Sequence, residues 1–337
     1  MKISEFWHKY ILQNKKLIGK SVAIFFVFVI SFGASIEIFS NYFFAKHTKD
    51  LYATLINEYP VDYSPFKPFR KWEIEPPELS AKSAIVVEFV NGESKILFGK
   101  NQNKILPIAS LSKVFSSYTA LQLLPSDLTI TISEEALKAP TNTGLYQVGD
   151  KFLLKDLLYS VLVESSNDAI YAIALQKGID NFVYLMNKEI QKIGLQKTHF
   201  VDPIGLDPDF PYQGYNYSTA KEIAKFAQFL LSRKDADPKT KLLLDIMGTK
   251  EFPLYQTNGH FHHQVYTTNK LLDNPKFQKI IIAGKTGYTP LAGECFLLIT
   301  KHPKYPEGYL IIVILGSHNR FKEAEELINW INNAFIW

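Results

Sequence analysis

Pro107-Ile108-Ala109-Ser110-Leu111-Ser112-Lys113 stands where the chain changes its pattern, and the reading of that change decides the fold. Upstream, Ser83–Val90 has strand character, Asn91-Gly92 is a tight-turn dipeptide, and Lys95–Phe98 resumes the strand pattern, which predicts a β-hairpin. Downstream, Val114, Phe115, Tyr118, Leu121 and Leu124 recur at helical spacing and Pro107 suits a helix start, so Leu111–Leu124 is expected to be helical. From roughly 126 to 245 helical patterns dominate, in Leu153–Val163, Asp168–Lys177, Asp180–Ile193 and Ser218–Leu231. The turn formers of Asp202-Pro203-Ile204-Gly205-Leu206 mark a loop between the last two. Strands return at Phe252–Thr257 and His260–Tyr266 around Asn258-Gly259, then at Lys279–Lys285, Glu294–Lys301 and Tyr309–Ser317. An amphipathic helix, Phe321–Ile336, closes the chain. Strands at both ends with helices between them predict an α/β chain of the α+β kind: an antiparallel sheet covered by helices, with a helical insert subdomain.

Of the 337 residues, 47% are apolar and 21% charged, which suits a large core and excludes a disordered chain. The net charge of +4 sits in residues 1–20, where Lys2, Lys9, Lys15, Lys16 and Lys20 face Glu5 alone. The neutral remainder offers no electrostatic footprint for nucleic acid. Cys295 is the only cysteine, which excludes an intrachain disulfide and a cysteine-based metal site. Its apolar neighbours, Phe296 to Ile299, suit a buried small hydrophobe.

The basic segment 1–20, expected to be cytoplasmic, runs into residues 21–45, where Glu37 is the only charge. A bilayer span takes about 20 mostly apolar residues, and this stretch meets that with Glu37 near the outer interface. Lysines ahead of the span favour an inside N-terminus, so a single-pass cell-membrane protein with an extracytoplasmic body is expected. The alternative is a signal peptide cleaved near Gly33, Ala34 and Ser35, which would secrete the body to the same compartment. Residues 46–81, punctuated by Pro60, Pro65, Pro68, Pro76 and Pro77, read as a tether, with the folded domain expected over 82–337.

Three polar motifs follow one another in the body: Ser110-Leu111-Ser112-Lys113, Ser165-Ser166-Asn167 and Lys285-Thr286-Gly287. On a helix, residues three apart share a face, so the Lys113 amine can reach the Ser110 hydroxyl. A serine needs an adjacent base to act as a nucleophile, and lysine can be that base once burial or nearby positive charge lowers its pKa. Lys285, converging on the same cleft, would supply that charge, and a helix start at Ser110 favours a developing oxyanion. Ser165 and Asn167 fall at a break between helices that would turn them into the cleft. There Ser165 could relay a proton to a leaving amine, and Asn167 could hold a substrate amide. Lys285 and Thr286, at the end of an apolar strand, can hold a carboxylate. Gly287 lets a substrate lie against the strand edge, and the Tyr288 N–H could join that of Ser110 as an oxyanion hole.

Each motif alone has a plainer reading. Ser-x-x-Lys recurs at Ser218–Lys221, where Ser218 reads as a helix N-cap, and Ser110 could be another. Ser166, Asn167 and Asp168 could simply cap the second helix, and Gly284, Gly287 and Pro290 suit a strand-end turn. The ordered conjunction is what points to acyl transfer through a seryl intermediate. His260, His262 and His263 follow a hairpin turn with no obvious acidic partner, so no metal site is expected there.

The motif set resembles the D-alanyl-D-alanine carboxypeptidases, the low-molecular-mass penicillin-binding branch of the serine β-lactamase and DD-peptidase superfamily. The segments that carry it are Pro107–Lys113, Ser165-Ser166-Asn167-Asp168-Ala169 and Gly284-Lys285-Thr286-Gly287-Tyr288-Thr289. Thr198–Leu206, Tyr217-Ser218-Thr219-Ala220 and Asn269-Lys270-Leu271-Leu272 add to it, so that it spans about residues 82–337. The resemblance implies the β-lactamase/DD-peptidase fold and the release of terminal D-alanine from peptidoglycan stem peptides ending in D-Ala-D-Ala. It also implies acylation by β-lactams. In that reading Ser110 is acylated, Lys113 is the base, Ser165 shuttles the proton and Asn167 holds the acyl side. Lys285 and Thr286 receive the terminal carboxylate, and no metal or organic cofactor is implied.

Two positions depart from the family pattern: Ser166 stands where glycine is common, and Asp202 where asparagine is common. A β-lactamase of the same superfamily is the nearest rival, yet residues 191–215 hold no glutamate to activate a deacylating water. A non-catalytic cell-wall-binding protein is the rival from another class, and the presence of every catalytic group argues against it.

Overall fold

Tyr309–Ser317 is buried along its whole length, with alternate residues leaving it in opposite directions. Ile311, Val313 and Leu315 enter one apolar core, and Leu310, Ile312 and Ile314 enter a second. Such a strand needs a layer on each face, and the rest of the chain supplies both.

The computed structural model describes residues 68–140, 145–208 and 214–337. The expected basic segment, apolar segment and most of the tether lie outside the described residues. Among the described residues no helix is long and apolar enough to cross a membrane.

The short strand β1 (Phe69–Arg70) precedes the hairpin of β2 (Ser83–Val90) and β3 (Glu93–Lys100). Then β4 (Leu106–Pro107) leads through a 3-10 turn, Ala109–Leu111, into helix α1 (Ser112–Leu123). Strands β5 (Thr129–Thr131) and β6 (Lys151–Leu153) pair ahead of α2 (Leu154–Tyr159), which runs into a π-helical stretch, Ser160–Glu164. Next come α3 (Asn167–Leu175), α4 (Ile179–Ile193), β7 (Tyr217–Ser218), α5 (Ala220–Arg233) and α6 (Pro238–Met247). A second hairpin, β8 (Glu251–Tyr255) and β9 (Phe261–Tyr266), precedes β10 (Ile281–Thr289), β11 (Gly293–Lys301) and β12 (Tyr309–Ser317). Helix α7 (Arg320–Ala334) and β13 (Phe335–Ile336) finish the chain.

The main sheet runs β10-β11-β12-β2-β3 and is antiparallel throughout. Helix α7 seals one face with Leu327, Ile331 and Ala334, while α1, α5 and the helical insert cover the other. This is the expected α+β arrangement, and it sets the start of α1 against the edge strand β10.

Four expectations change. The body begins at Pro68 rather than Lys82, because α7 supplies partners to a stretch that has no periodicity of its own. Glu323 Oε1 accepts from Ser80 Oγ at 2.7 Å and from the Ala81 N–H at 3.1 Å, and the Trp330 indole donates to Ile74 O at 3.2 Å. The last helix stops at Ala334, since Phe335 and Ile336 leave it to pair with Arg70 and Phe69. Strand β10 continues to Thr289 instead of ending at the third motif, because Lys285, Thr286 and Gly287 pair with Leu297, Phe296 and Cys295. Ser218 lies in β7, and the cap of α5 is Thr219, whose side chain accepts from the Glu222 N–H at 3.1 Å.

Candidate active site

Ser110 lies in the 3-10 turn before α1, following Ala109 in the left-handed region at φ +48°. Its hydroxyl does not cap the helix. It accepts a hydrogen bond from Lys113 Nζ at 2.8 Å, as the three-residue spacing predicts. Lys113 is wholly buried and also donates to Ile204 O at 3.3 Å. Loss of water lowers its ammonium to about 7, while the Asp202 carboxylate pulls in the opposite direction. The sequence offers two causes for that lowering, burial and the charge of Lys285. It comes from burial, and the repulsion between the two amines falls on Lys285 instead.

The carbonyl that Lys113 reaches is presented by the 202–206 loop. Asp202 Oδ1 accepts the N–H groups of Ile204 at 2.6 Å and Gly205 at 2.5 Å. Asn216 braces the other side, donating to Asp202 O at 2.9 Å and accepting from the Val201 N–H at 2.7 Å. Gly205 adopts φ +92°, and a Cβ there would stand 2.1 Å from Ala109 O and 2.6 Å from Ser112 Oγ. Only glycine lets the loop pack this closely on the nucleophile's turn. Burial raises the Asp202 carboxyl above its ordinary range, against the pull of the backbone N–H groups and Lys113.

The second motif sits where the π-helical stretch ends, with Ser165 left-handed at φ +72°. Capping of α3 falls to Ser166, which accepts from the Ala169 N–H at 3.2 Å. Ser165 is thereby available to Lys285, whose Nζ donates to Ser165 Oγ and to Thr286 O, both at 2.8 Å. Asn167 donates its side-chain amide to Pro140 O at 2.9 Å. Thr286 Oγ1 lies 2.6 Å from Thr268 Oγ1, and the Thr268 N–H donates to Val163 O at 3.0 Å, which ties the third motif to the second. Lys285 is buried and held well below the usual lysine range, first by lost water and then by Lys113 and Arg320.

A Cβ at Gly287 would fall 2.9 Å from Ser110 N and 3.1 Å from Ile108 O, so strand β10 runs hard against the nucleophile's backbone. Tyr288 follows, its side chain exposed at the mouth. A cavity of about 880 Å³ adjoins this cleft, lined by Pro140, Asp202, Ile204, Leu206, Tyr288 and Thr289.

The chain has counterparts among known proteins. A family profile for D-alanyl-D-alanine carboxypeptidases matches residues 71–319. The chain belongs to that family. Among its relatives are the D-alanyl-D-alanine endopeptidases of Pseudomonas aeruginosa and Escherichia coli, each 28% identical over 77% of this chain and over 79% and 80% of their own lengths. The D-alanyl-D-alanine carboxypeptidase DacF of Bacillus subtilis is 28% identical over 76% of this chain but only 62% of its own. Among solved structures, the ampicillin-bound penicillin-binding protein D2 of Listeria monocytogenes is 26% identical with a TM-score of 0.60, covering 76% of this chain and 98% of that one. The D-alanyl-D-alanine carboxypeptidase of Mycobacterium tuberculosis, 24% identical with a TM-score of 0.66 over 78% of this chain and 95% of its own, shares the fold.

Within this D-alanyl-D-alanine carboxypeptidase family member, sequence reasoning missed three contributors. Thr268 carries no motif. Asp202 reads in the sequence as a turn former and a departure from the family pattern, and the structure adds its charge acting on Lys113. Arg320 donates to Gly287 O and helps depress Lys285. The available signal was rarity: the chain has only Arg70, Arg233 and Arg320 against a background of lysines. The histidine pair is also corrected. His262 and His263 do have acidic partners, Asp150 and Glu164, while His260 is exposed.

Proposed function

We propose that the chain removes the terminal D-alanine from peptidoglycan stem peptides through an acyl-enzyme on Ser110, and that β-lactams acylate the same hydroxyl. The observation that carries this reading is a pair of contacts in one buried site: Lys113 Nζ on Ser110 Oγ and Lys285 Nζ on Ser165 Oγ, each 2.8 Å. With its pKa lowered to about 7, Lys113 is in good part a free amine at neutral pH. It takes the Ser110 proton as Oγ attacks the carbonyl carbon of the penultimate D-alanine. The backbone N–H groups of Ser110 and Tyr288 receive the oxyanion. As the C–N bond breaks, the leaving nitrogen takes a proton through Ser165, and D-alanine departs. Asn167 holds the acyl side, while Lys285, Thr286 and Gly287 receive the terminal carboxylate, whose charge restores the Lys285 ammonium. Water then attacks the ester carbonyl, the proton returns to Ser110 Oγ, and the shortened peptide leaves.

The test is incubation of the full-length chain with a fluorescent penicillin and with a peptide ending in D-Ala-D-Ala. A long-lived adduct on Ser110 and released D-alanine are expected. Neither appearing would overturn the enzyme reading, and a Ser110→Ala variant that still labels would overturn the assignment of the nucleophile. Rapid penicillin turnover in place of a persistent adduct would make the chain a β-lactamase.

Cleavage of cross-linked stem peptides is a second reading, supported by the fuller coverage of the endopeptidases than of DacF. A cross-linked dimeric fragment cut faster than a monomeric pentapeptide would favour it. We also infer that residues 21–45 anchor the body outside the cytoplasm, supported by the lysines ahead of an almost uncharged stretch. Protease added to intact spheroplasts should digest the body, and full protection would sink this placement. Recovery of a soluble body with a new N-terminus near Gly33 would favour the cleaved form.

A further inference from the structure

A buried group of titratable side chains lies directly behind the second motif. His262 and His263, neighbours on β9, turn their rings together with Nδ1 facing Nδ1 at 2.6 Å. Their outer nitrogens reach carboxylates: His262 Nε2 is 3.2 Å from Asp150 Oδ2, and His263 Nε2 is 3.0 and 3.1 Å from the two oxygens of Glu164. Glu164 also accepts from Ser160 Oγ, which in turn accepts from the Tyr146 hydroxyl. The four side chains are only 10–15% exposed, and the Tyr146 ring stacks on His262 at 5.1 Å.

The proton count of this cluster is constrained by geometry. An imidazole nitrogen facing an ionised carboxylate carries a proton, so both Nε2 atoms are donors. The Nδ1 contact needs one proton and one lone pair. The two rings therefore hold three nitrogen-bound protons and one positive charge between them, flanked by two carboxylates. A fourth proton would set two N–H groups face to face. Loss of the third would set two lone pairs together or turn one toward a carboxylate. Either change breaks the arrangement.

Glu164 immediately precedes Ser165, and the backbone around them is tied on both sides. Val163 O accepts from Thr268 N at 3.0 Å, and Ser166 N donates to Ser160 O at 2.9 Å. We propose that His263 and Glu164, backed by His262 and Asp150, form a single-proton clamp that positions Ser165, and that uptake of a further proton misaligns the relay. This rests on the reading of Ser165 as the proton relay. The groups facing the pair are Asp150 ahead of β6, Glu164 at the end of the π-helical stretch and the Tyr146 hydroxyl, which itself feels Asp168 of α3. Burial and the neighbouring His263 hold the His262 imidazolium below the usual histidine range, so a second imidazolium beside the first forms only as the pH falls.

The experiment is the rate of Ser110 acylation by a fluorescent penicillin, followed in the full-length chain from pH 5 to 8. Titration of Lys113 alone slows acylation about 10-fold per unit of falling pH, whereas Lys113 and the clamp together approach about 100-fold per unit at the acid end of that range. His263→Gln keeps an N–H toward Glu164 and removes the ring that faces His262 Nδ1, so it should return the steep limb to the one-proton slope. His263→Ala loses that N–H and should acylate about 10-fold more slowly at pH 7.5, with His263→Gln recovering most of the loss. If His263→Ala fails to fold by circular dichroism, the slope of His263→Gln decides alone. A one-proton limb in the wild type, or a two-proton limb that persists in His263→Gln, overturns the clamp while leaving the acyl-enzyme reading intact. No Ser110 adduct in the wild type overturns both.

Discussion

Asp202→Asn is the most informative single change to the site. It removes the carboxylate that opposes the depression of Lys113 and keeps an Oδ1 acceptor for the Ile204 and Gly205 N–H groups. Lys113 loses its only named counter-pull, so its pKa falls further. An opposite charge close by shifts a pKa by about 1–3 units, and with burial the larger influence here a fall of about half a unit to one unit is expected. From a starting value of about 7, the free-amine fraction at pH 6 then rises roughly three- to fivefold, and acylation of Ser110 by penicillin rises with it. At pH 8 the amine is mostly free in both proteins, so the rates converge. Stability moves in a related way. The Asp202 carboxyl is raised in the folded chain, so its contribution is present below the unfolded carboxylate pKa and lost as pH rises through the folded value. The asparagine variant should therefore melt higher than the wild type at pH 7, with the advantage gone near pH 4. Stopped-flow acylation across pH 5–9 and thermal melts at the two pH values provide the readings. An acid limb that moves to higher pH, or stays still while the melting temperature rises, would refute the electrostatic coupling of Asp202 to Lys113.

Ser165→Ala should slow acylation by about 10²–10⁴-fold while leaving the initial noncovalent affinity for penicillin nearly intact. Equal acylation rates would remove Ser165 from the proton path. Gly205→Ala forces an L side chain into φ +92° and against Ala109 O, and should cost about 2–5 kcal/mol of stability from backbone strain and overpacking together. Chemical denaturation measures it, and a loss below about 1 kcal/mol would contradict the close approach of the loop to the nucleophile's turn.

The parts of the fold legible in the sequence are those with local causes. Asn91-Gly92 predicted the β2–β3 hairpin, and both residues take positive φ, at 51° and 82°, as a two-residue hairpin turn requires. The helical spacing of Val114 to Leu121 marked α1, and the apolar run of Tyr309 to Ser317 marked β12 as a strand. Features that depend on distant partners were not legible. Residues 68–81 have no period and are held by α7, more than two hundred positions away. The acids of the histidine clamp lie 99 and 112 positions from their partners. Ser218 and Thr219 are equally good caps on paper, and the pairing of Leu106 with Ser218 leaves the cap to Thr219. The eight predicted site residues were legible as chemistry, yet which of burial and the Lys285 charge lowers the Lys113 pKa was not, because burial belongs to the packed core.

Ala109 and Ser165 show how the site is held. Each flanks or forms a reacting group, and each takes a left-handed conformation that costs an ordinary L residue about 1–2 kcal/mol. Asn91 and Asn101 adopt the same region easily, since asparagine tolerates it, but alanine and serine persist there only under restraint. Ala109 is gripped from two sides, by Gly205 against its carbonyl and by Gly287, where a Cβ would stand 3.1 Å from Ala109 Cβ. Ser165 is gripped by Thr268 on Val163 and by Ser160 on Ser166. Lys113 on Ile204 O and Lys285 on Thr286 O brace the same segments, while the close approaches themselves are backbone contacts. The backbone of nucleophile and relay is thus held chiefly by packing and by main-chain hydrogen bonds. A change to a gripping residue should then slow acylation with the pH midpoint unmoved, whereas a change near Lys113 should move the midpoint first. Gly205→Ala and Asp202→Asn, three residues apart on one loop, separate these two consequences.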